Sequence, residues 1–393
     1  MSEQIQETGE NAAAGAGTSV HGDIVRLSDY LFEVTYDSYE AAEGMAREYF
    51  GKRYKLGACS SVQNGMIRGR NYDWYYDRTS TFVVHVPAAP GRHASVGVAV
   101  GQVTPEQVLS GEPHLMYDIL PFITLDGMND QGLVMNVNVI QFGELGSFVM
   151  RTEDPSDDMF PLMACRLVLD KAATVQEALE LMETMDFYSI LNLDEAHFMI
   201  SGKASAADPT YKTVVVELVP DEQHHYQLNV IEDFVDQKPI MTNFPLTGFD
   251  GTEGSLSPHP IGIERYWALS RDFGLGETVP GMLDLMKRAY YTRSYDPYVT
   301  PFWYSAHIGP GDGPKYTERG EDDLRGDLAK AGPFQDVVRQ NIQKYRTRSR
   351  KDRFATWHTV HTSVYDAEAL ELSLMSQEGS IVYRFDLAGQ LED

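Results

Sequence analysis

A layered α+β fold is what this chain of 393 residues predicts. Strand-like runs come in clusters and helix-like runs come in clusters, without the strict alternation that a parallel βαβ series requires. With 42% hydrophobic and 11% aromatic residues, the chain can bury a large core, and its length would accommodate two or three domains. The formal net charge is -26, from 32 Lys+Arg against 58 Asp+Glu, which repels phosphate backbones and anionic lipid surfaces. Nucleic-acid and membrane partners are therefore not expected.

Residues 1–21 are rich in Ala, Gly, Glu and Ser without periodicity, so they read as a disordered leader. Residues 22–58 carry a strand-like piece (DYLFEVTYDSY), an Ala/Glu-rich helical piece (EAAEGMAREYF) and the basic cluster Lys52, Arg53, Lys55. Strands are expected near 79–87, 94–101, 119–125 and 132–140, then helices near 159–171 and 175–186. A second β-rich block follows (HFMISG, TVVVELV, YQLNVI, KPIMTN), then helices near 262–272, 281–290 and 333–346 and a closing meander (WHTVHTSVYD, ALELSLMS, IVYRFDL). The Gly-rich, charged stretch 309–332 reads as a surface excursion.

No apolar run approaches the roughly 20 residues of a membrane span, and the N-terminus lacks the basic and apolar regions of a secretory signal, so a soluble cytoplasmic protein is expected. Of the two cysteines, Cys165 lies in an apolar stretch (FPLMACRLVLD) that reads as a buried helix, and no disulfide framework is implied.

Cys59 is the residue that suggests chemistry. It stands in Gly57-Ala58-Cys59-Ser60-Ser61, ahead of Asn64-Gly65 and Gly69-Arg70-Asn71-Tyr72-Asp73. Asn-Gly is a strong two-residue hairpin turn signal, and placing both residues at its centre pairs Gln63 with Met66, Ser61 with Arg68 and Cys59 with Arg70. Period-two alternation then puts Val62 and Ile67 on one face, and Cys59, Ser61, Arg68 and Arg70 on the other. A guanidinium beside a thiol stabilises the thiolate. Asp73 falls on the opposite face, so its approach to the Cys59 nitrogen needs an irregularity, for which Gly69 is the candidate. A free α-amine titrates near 7.7 to 8.0, so an N-terminal Cys59 would carry nucleophile and general base together.

These motifs resemble the choloylglycine hydrolase family, which includes bile salt hydrolases and penicillin V acylases and consists of N-terminal nucleophile (Ntn) hydrolases. The resemblance rests on GACSS, GRNYD at 69–73, LDGMNDQGLVMNVNV at 125–139, IMTNFP at 240–245 and the Arg265 region, in the family's order. It implies a four-layer αββα sandwich over residues 59–393, preceded by a propeptide over 1–58. By the same resemblance Cys59 is the nucleophile, its α-amine the base, Asp73 the residue that holds the amine, and Arg70 the neighbour of the sulfur. Asn243 and Asn138 line the oxyanion hole, with Asn136 as the rival of the latter, and Arg265 completes the site, with Arg271 as its rival. The 58 preceding residues imply autoproteolysis: Cys59 attacks the Ala58 carbonyl, and water hydrolyses the thioester.

The implied activity is hydrolysis of a linear, non-peptide C–N amide in a small-molecule substrate such as an N-acyl amino acid, a conjugated bile acid or a penicillin V-like compound. No cofactor or metal is implied, and a homo-oligomer is expected. The alternatives are an acyltransferase using the same acyl-enzyme, or an uncleaved, non-catalytic binding protein of the same fold. His358 and His361 lie three apart in a strand and point to opposite faces, which disfavours a metal pair, and His224-His225 reads as a solvated hairpin. No Gly-x-Ser-x-Gly elbow is present, and GPGDGP does not sit between a strand and a helix as a phosphate loop would. The ring-rich run Tyr290, Tyr291, Tyr295, Tyr298, Phe302, Trp303 and Tyr304 is read as core packing before it is read as a pocket wall.

Overall fold

The structure is a computed structural model, and it describes residues 21–53, 58–74, 79–101, 103–141, 145, 158–187, 194–223, 225–257, 260, 262–290, 304–307, 315–318, 332–336, 358–376 and 381–387. The leader before residue 21, residues 54–57, the aromatic run from 291 to 303, most of 309–332 and the expected helix beyond 336 lie outside the described residues.

In chain order the elements are β1 (Val25–Arg26), β2 (Leu31–Thr35), α1 (Glu43–Arg53), β3 (Ala58–Asn64), β4 (Ile67–Trp74), β5 (Ser80–Val86), β6 (Ser95–Gly101), α2 (Pro105–Ser110), α3 (Leu115–Ile119), β7 (Thr124–Asn129) and β8 (Val134–Gln141). Then follow β9 (Asp158–Met159), α4 (Pro161–Lys171), α5 (Val175–Glu183), β10 (Asp186–Phe187), β11 (Asp194–Lys203), β12 (Tyr211–Pro220), β13 (Tyr226–Ile231), β14 (Ile240–Met241), α6 (Ile263–Arg271), α7 (Val279–Arg288), β15 (Tyr304–His307), β16 (Lys315–Glu318), β17 (His358–Asp366), β18 (Glu371–Ser376) and β19 (Val382–Asp386).

Two sheets dominate. The first has the order β1-β2-β5-β6-β7-β8-β11-β12-β13 and the second β14-β3-β4-β17-β18-β19. Helix α4 packs on β7 and β8 and α5 on β11, while α7 packs on β4 and β17 and α6 on β14. Since β3 of the second sheet also faces β8 of the first, the layers run helix, sheet, sheet, helix. The αββα sandwich expected from the resemblance is the observed architecture.

Local chemistry explains the helices. Thr174 caps α5 by accepting from the Glu177 backbone nitrogen, and Thr278 caps α7 by accepting from that of Gly281. Helix α4 is buried along most of its length, with Cys165 inside it, as its apolar composition predicts, and only its last residue, Lys171, is exposed. The strand expected at 119–125 is instead helical to Ile123, with β7 beginning at Thr124. Short apolar runs are ambiguous in period, and here His114 caps the turn through its ring while Pro121 opens the following 3-10 turn. Residues 221–225 join β12 to β13 as the hairpin read there.

The interior divides in two. An apolar cluster of Val83, Val96, Met128, Val134, Tyr365, Leu372 and Leu374 fills the space between the sheets at the β5-β6 and β18 side. At the β3-β4 and β8-β11 side the same space is lined by buried polar groups, and the site is built there. The segment before Cys59 belongs to the body of the fold: β2 pairs in parallel with β5, and Leu31, Phe32 and Val34 are buried.

Phe32→Ala should therefore cost about 3 to 5 kcal/mol in denaturant unfolding, as for other buried aromatics. Val25→Ala, at an exposed edge position, should stay within about 0.5 kcal/mol; equal effects would show that the leader strand is not part of the core.

Candidate active site

The hairpin β3-β4 carries Cys59 near its far end. Its register pairs Asn64 with Ile67, Gln63 with Arg68, Ser61 with Arg70, Cys59 with Tyr72 and Ala58 with Asp73. The turn is therefore Gly65-Met66, one residue later than the Asn-Gly rule places it. Gly65 has φ +57°, and neither Asn64 nor Met66 is left-handed, which are the signs of a type II′ turn and not of type I′. Every expected partner changes, yet every residue keeps its face, because recentring a hairpin by one position moves partners by two. Cys59, Ser61, Arg68 and Arg70 face the nine-stranded sheet as expected, with Arg70 diagonal to Cys59.

No bulge occurs at Gly69, where Val62 pairs with it in unbroken register. A Cβ at Gly69 would lie 2.7 Å from Sδ of Met282, so the glycine lets α7 press onto the strand. The irregularity lies in the neighbouring strand β17, between Thr359 and His361. It brings Thr359 opposite Asp73, and the Thr359 hydroxyl donates to the Asp73 carboxylate at 2.7 Å.

Around Cys59 three side chains hold three different atoms. Arg70 Nη2 lies 3.3 Å from Sγ. The backbone N–H donates to Asn243 Oδ1 at 2.9 Å, and the backbone carbonyl accepts from Arg265 Nη1. Arg265 also donates from Nη2 to Asn243 Oδ1 at 2.7 Å and from Nη1 to Asp73 at 3.2 Å. Gly262 makes room for it: at φ +81° it opens α6, and a Cβ there would lie 2.6 Å from Arg265 Nη2. Asn243 Nδ2 donates to the Val139 carbonyl at 2.6 Å.

Arg70 is fully buried, and its counter-ion is Asp126, with the Val137 carbonyl as a further acceptor at 3.0 Å. Asp126 also accepts from the hydroxyls of Ser363 and Tyr365. Burial is the largest influence and disfavours its charge, but the Arg70 guanidinium, His361 and the Tyr365 hydroxyl together outweigh it, and the carboxyl is held at about 2. The thiol behaves oppositely. Burial pushes the Cys59 thiol up to about 11 in spite of Arg70, so in the intact chain the sulfur keeps its proton at neutral pH. Cys59 is 2% exposed.

The second asparagine position is shared. Asn138 accepts from Ser61 and from Asn136 Nδ2, and its own Nδ2 donates to the carbonyls of Met241 and Thr242, each at 3.3 Å. Asn136 is tied through Oδ1 to Arg68, a second fully buried guanidinium. Arg271 is exposed and paired with Asp272, which leaves Arg265 as the arginine of the site. Cys59, Arg70, Asp73, Asn243 and Arg265 thus form one connected cluster, with Asn138 reaching it through the 241–242 backbone. Asp73 takes Arg265 and Thr359, while the contact to the Cys59 nitrogen is made by Asn243.

His361 packs its ring on Tyr72 at 5.5 Å and lies 3.6 Å from Asp126; the side chain of His358 lies outside the described residues. Among the described residues no group of three or more His, Cys, Asp or Glu could hold a metal, and no helix is long and apolar enough to cross a membrane. The polar residues missed in the sequence are Asp126, His197 and Glu217. For Glu217 the signal was a titratable residue inside the apolar run VVVELV, where burial compels a partner.

The family model described as acyl-coenzyme A:6-aminopenicillanic acid acyl-transferase matches residues 61–223. The likeness to Ntn acylases read from the motifs is borne out by that match. No curated protein matches the chain. Among solved structures, a mutant of the conjugated bile acid hydrolase from Clostridium perfringens aligns at 16% identity with a TM-score of 0.37, covering 84% of this chain and 92% of that one. Penicillin V acylase from Agrobacterium tumefaciens aligns at 16% identity with a TM-score of 0.38, covering 84% and 86%. Both structural likenesses are too distant to carry an argument about the site.

The Asp126 carboxyl sits below its ordinary 3.8 in the folded chain, so its stabilisation is present above about pH 4 and is lost as pH falls toward about 2. Urea unfolding should show a loss of about 2 kcal/mol across that window in the native protein. Asp126→Asn should lack that component and be less stable by about 3 to 5 kcal/mol at neutral pH, because Arg70 is left buried and unpaired. Parallel pH profiles for the two proteins would contradict this assignment.

Proposed function

We propose that the chain is a precursor of an N-terminal nucleophile amidohydrolase, activated by cleavage of the Ala58-Cys59 bond and acting on a linear, non-peptide N-acyl amide. The coarse class, acyl chemistry at an amide bond on an Ntn fold, rests on the family match and the motifs. The observation that carries the finer reading is that one cysteine has its sulfur, nitrogen and carbonyl held separately by Arg70, Asn243 and Arg265. A structural cysteine has no need of this.

In the first step the Cys59 sulfur adds to the Ala58 carbonyl carbon. The C–N bond breaks, and the sulfur's proton passes to the departing nitrogen, giving a thioester and a free α-amine. Water then adds to the thioester carbonyl, leaving Ala58 as a carboxylate and restoring the thiol. Detaching Ala58 also opens a path to a sulfur that is otherwise enclosed. The released amine, with an ordinary pKa of about 7.7 to 8.0, is the base that the intact chain lacks. Cleavage thus converts a thiol protonated by burial into one with a proton acceptor on its own residue.

Turnover follows the same pattern. The α-amine takes the thiol proton, the sulfur adds to the substrate amide carbon, and the amine returns the proton to the leaving nitrogen. Water resolves the acyl-enzyme to free acid. An amide nitrogen has two N–H groups, and Asn243 spends one on Val139, so the other is available for the oxyanion. Asn138 has both committed to the 241–242 carbonyls, which makes it the support of that loop. Asp73 lies directly across from Ala58, where a new amine can reach it once the peptide is cut. The propeptide stays docked through β2 and its buried side chains.

A second reading, an acyltransferase that passes the acyl group to an amine, is favoured by the acyl-transferase description of the matched family. Release of free acid without added amine separates it from the hydrolase.

Intact-mass analysis of the native protein should give two fragments divided at Ala58-Cys59 that elute together by size exclusion, and Cys59→Ala should remain one chain. Asn243→Ala should lower kcat by about 100- to 1000-fold, the usual cost of one oxyanion donor. An uncleaved native protein that hydrolyses amides would refute the α-amine mechanism.

A further inference from the structure

We propose that His197 and Glu217 form a buried hydrogen-bonded clamp that positions Asn243, by holding the 241–247 segment from beneath. This rests on the role given to Asn243 under Proposed function. Four residues lie in one cross-strand row of the nine-stranded sheet: Asn138 on β8 pairs with His197 on β11, His197 with Glu217 on β12, and Glu217 with Asn229 on β13. Each of the four bonds the segment that follows β14.

The contacts run in order along that segment. Asn138 donates to the carbonyls of Met241 and Thr242, and His197 Nε2 meets the same Thr242 carbonyl at 2.9 Å. Glu217 accepts from the backbone nitrogens of Leu246 at 2.7 Å and Thr247 at 2.9 Å, and from the Thr247 hydroxyl. Asn229 donates to that hydroxyl oxygen at 2.7 Å. Asn243 is thus suspended between a carbonyl fixed on one side and two N–H groups fixed on the other.

The two central groups are also bound to one another, His197 Nδ1 lying 3.2 Å from Glu217 Oε1, and both side chains are fully buried. Glu217 receives hydrogen bonds at both oxygens, the role of an ionised carboxylate. The imidazole meets the Thr242 carbonyl at one nitrogen and the Glu217 carboxylate at the other. Removing one member of this buried network leaves the others without partners, which is costly, so the network holds the loop in one arrangement. Neither residue contacts Cys59 in the structure; they are positioning residues, acting through Thr242 and Leu246 on the asparagine between them.

The test uses the full chain, with Glu217→Gln as the conservative variant and His197→Phe as the severe one. Hydrogen exchange read by mass spectrometry should quicken about tenfold or more in peptides spanning 240–248, while peptides spanning β17 and β18 stay at native rates. In turnover of an N-acyl amide, Glu217→Gln should lower kcat about tenfold with KM within about twofold, because only the transition state uses Asn243. In the Asn243→Ala background the same substitution should add less than about a twofold loss, since what it positions is gone. Unchanged exchange at 240–248, exchange that quickens evenly everywhere, or losses that multiply in the double variant would each overturn the clamp. If the native protein hydrolyses no amide, the proposed function fails, and the exchange pattern still decides the clamp.

Discussion

Arg70 is the group on which the arrangement between the two sheets depends. A guanidinium with no exposure to water must find anions and acceptors within the protein, and it finds one on each side of the gap. Asp126 and the Val137 carbonyl come from the nine-stranded sheet, and the Cys59 sulfur comes from its own hairpin. Asp126 in turn collects Ser363 and Tyr365 from β17. One buried cation therefore ties β4, β7, β8 and β17 together beside Cys59. Had that space been filled with apolar side chains, as it is at the β5-β6 end, the thiol would have no cation beside it.

The same burial sets the thiol's state. Desolvation outweighs Arg70, and the sulfur holds its proton until about 11. A protonated, enclosed sulfur is protected from oxidation and acylation in the intact chain. The leader fits that picture as well, since β2 closes part of the nine-stranded sheet and fills its core, which makes the residues before Cys59 part of the scaffold that holds the site.

Much of the site could be read from residue order alone. Five short motifs singled out Cys59, the arginine beside it, and the Asn243 and Arg265 that meet at its backbone. Asn-Gly announced the hairpin, and two-residue alternation placed Cys59, Arg68 and Arg70 on one face whatever the register. The register itself was not legible, because type I′ and II′ turns share their glycine preference and differ by one position in where it falls. The partner of Asp73 was equally hidden. It depends on an irregularity in β17, a strand nearly three hundred residues away, and no local rule links the two. His197 and Glu217 escaped notice because they lie twenty residues apart on different strands, and only pairing in register turns them into a row.

By itself, the sequence determined which atoms are available and which face each presents, because alternation along a strand and the chemistry of Cys, Arg and Asn are local properties. Only the tertiary structure decided what those groups meet. Whether Asp73 or Asn243 takes the Cys59 nitrogen, whether Arg70 or burial governs the thiol, and whether a histidine and a glutamate far apart in sequence support an asparagine all depend on distances between sheets. Those distances are set by the packing of the whole core, and packing is a sum over contacts that no segment contains.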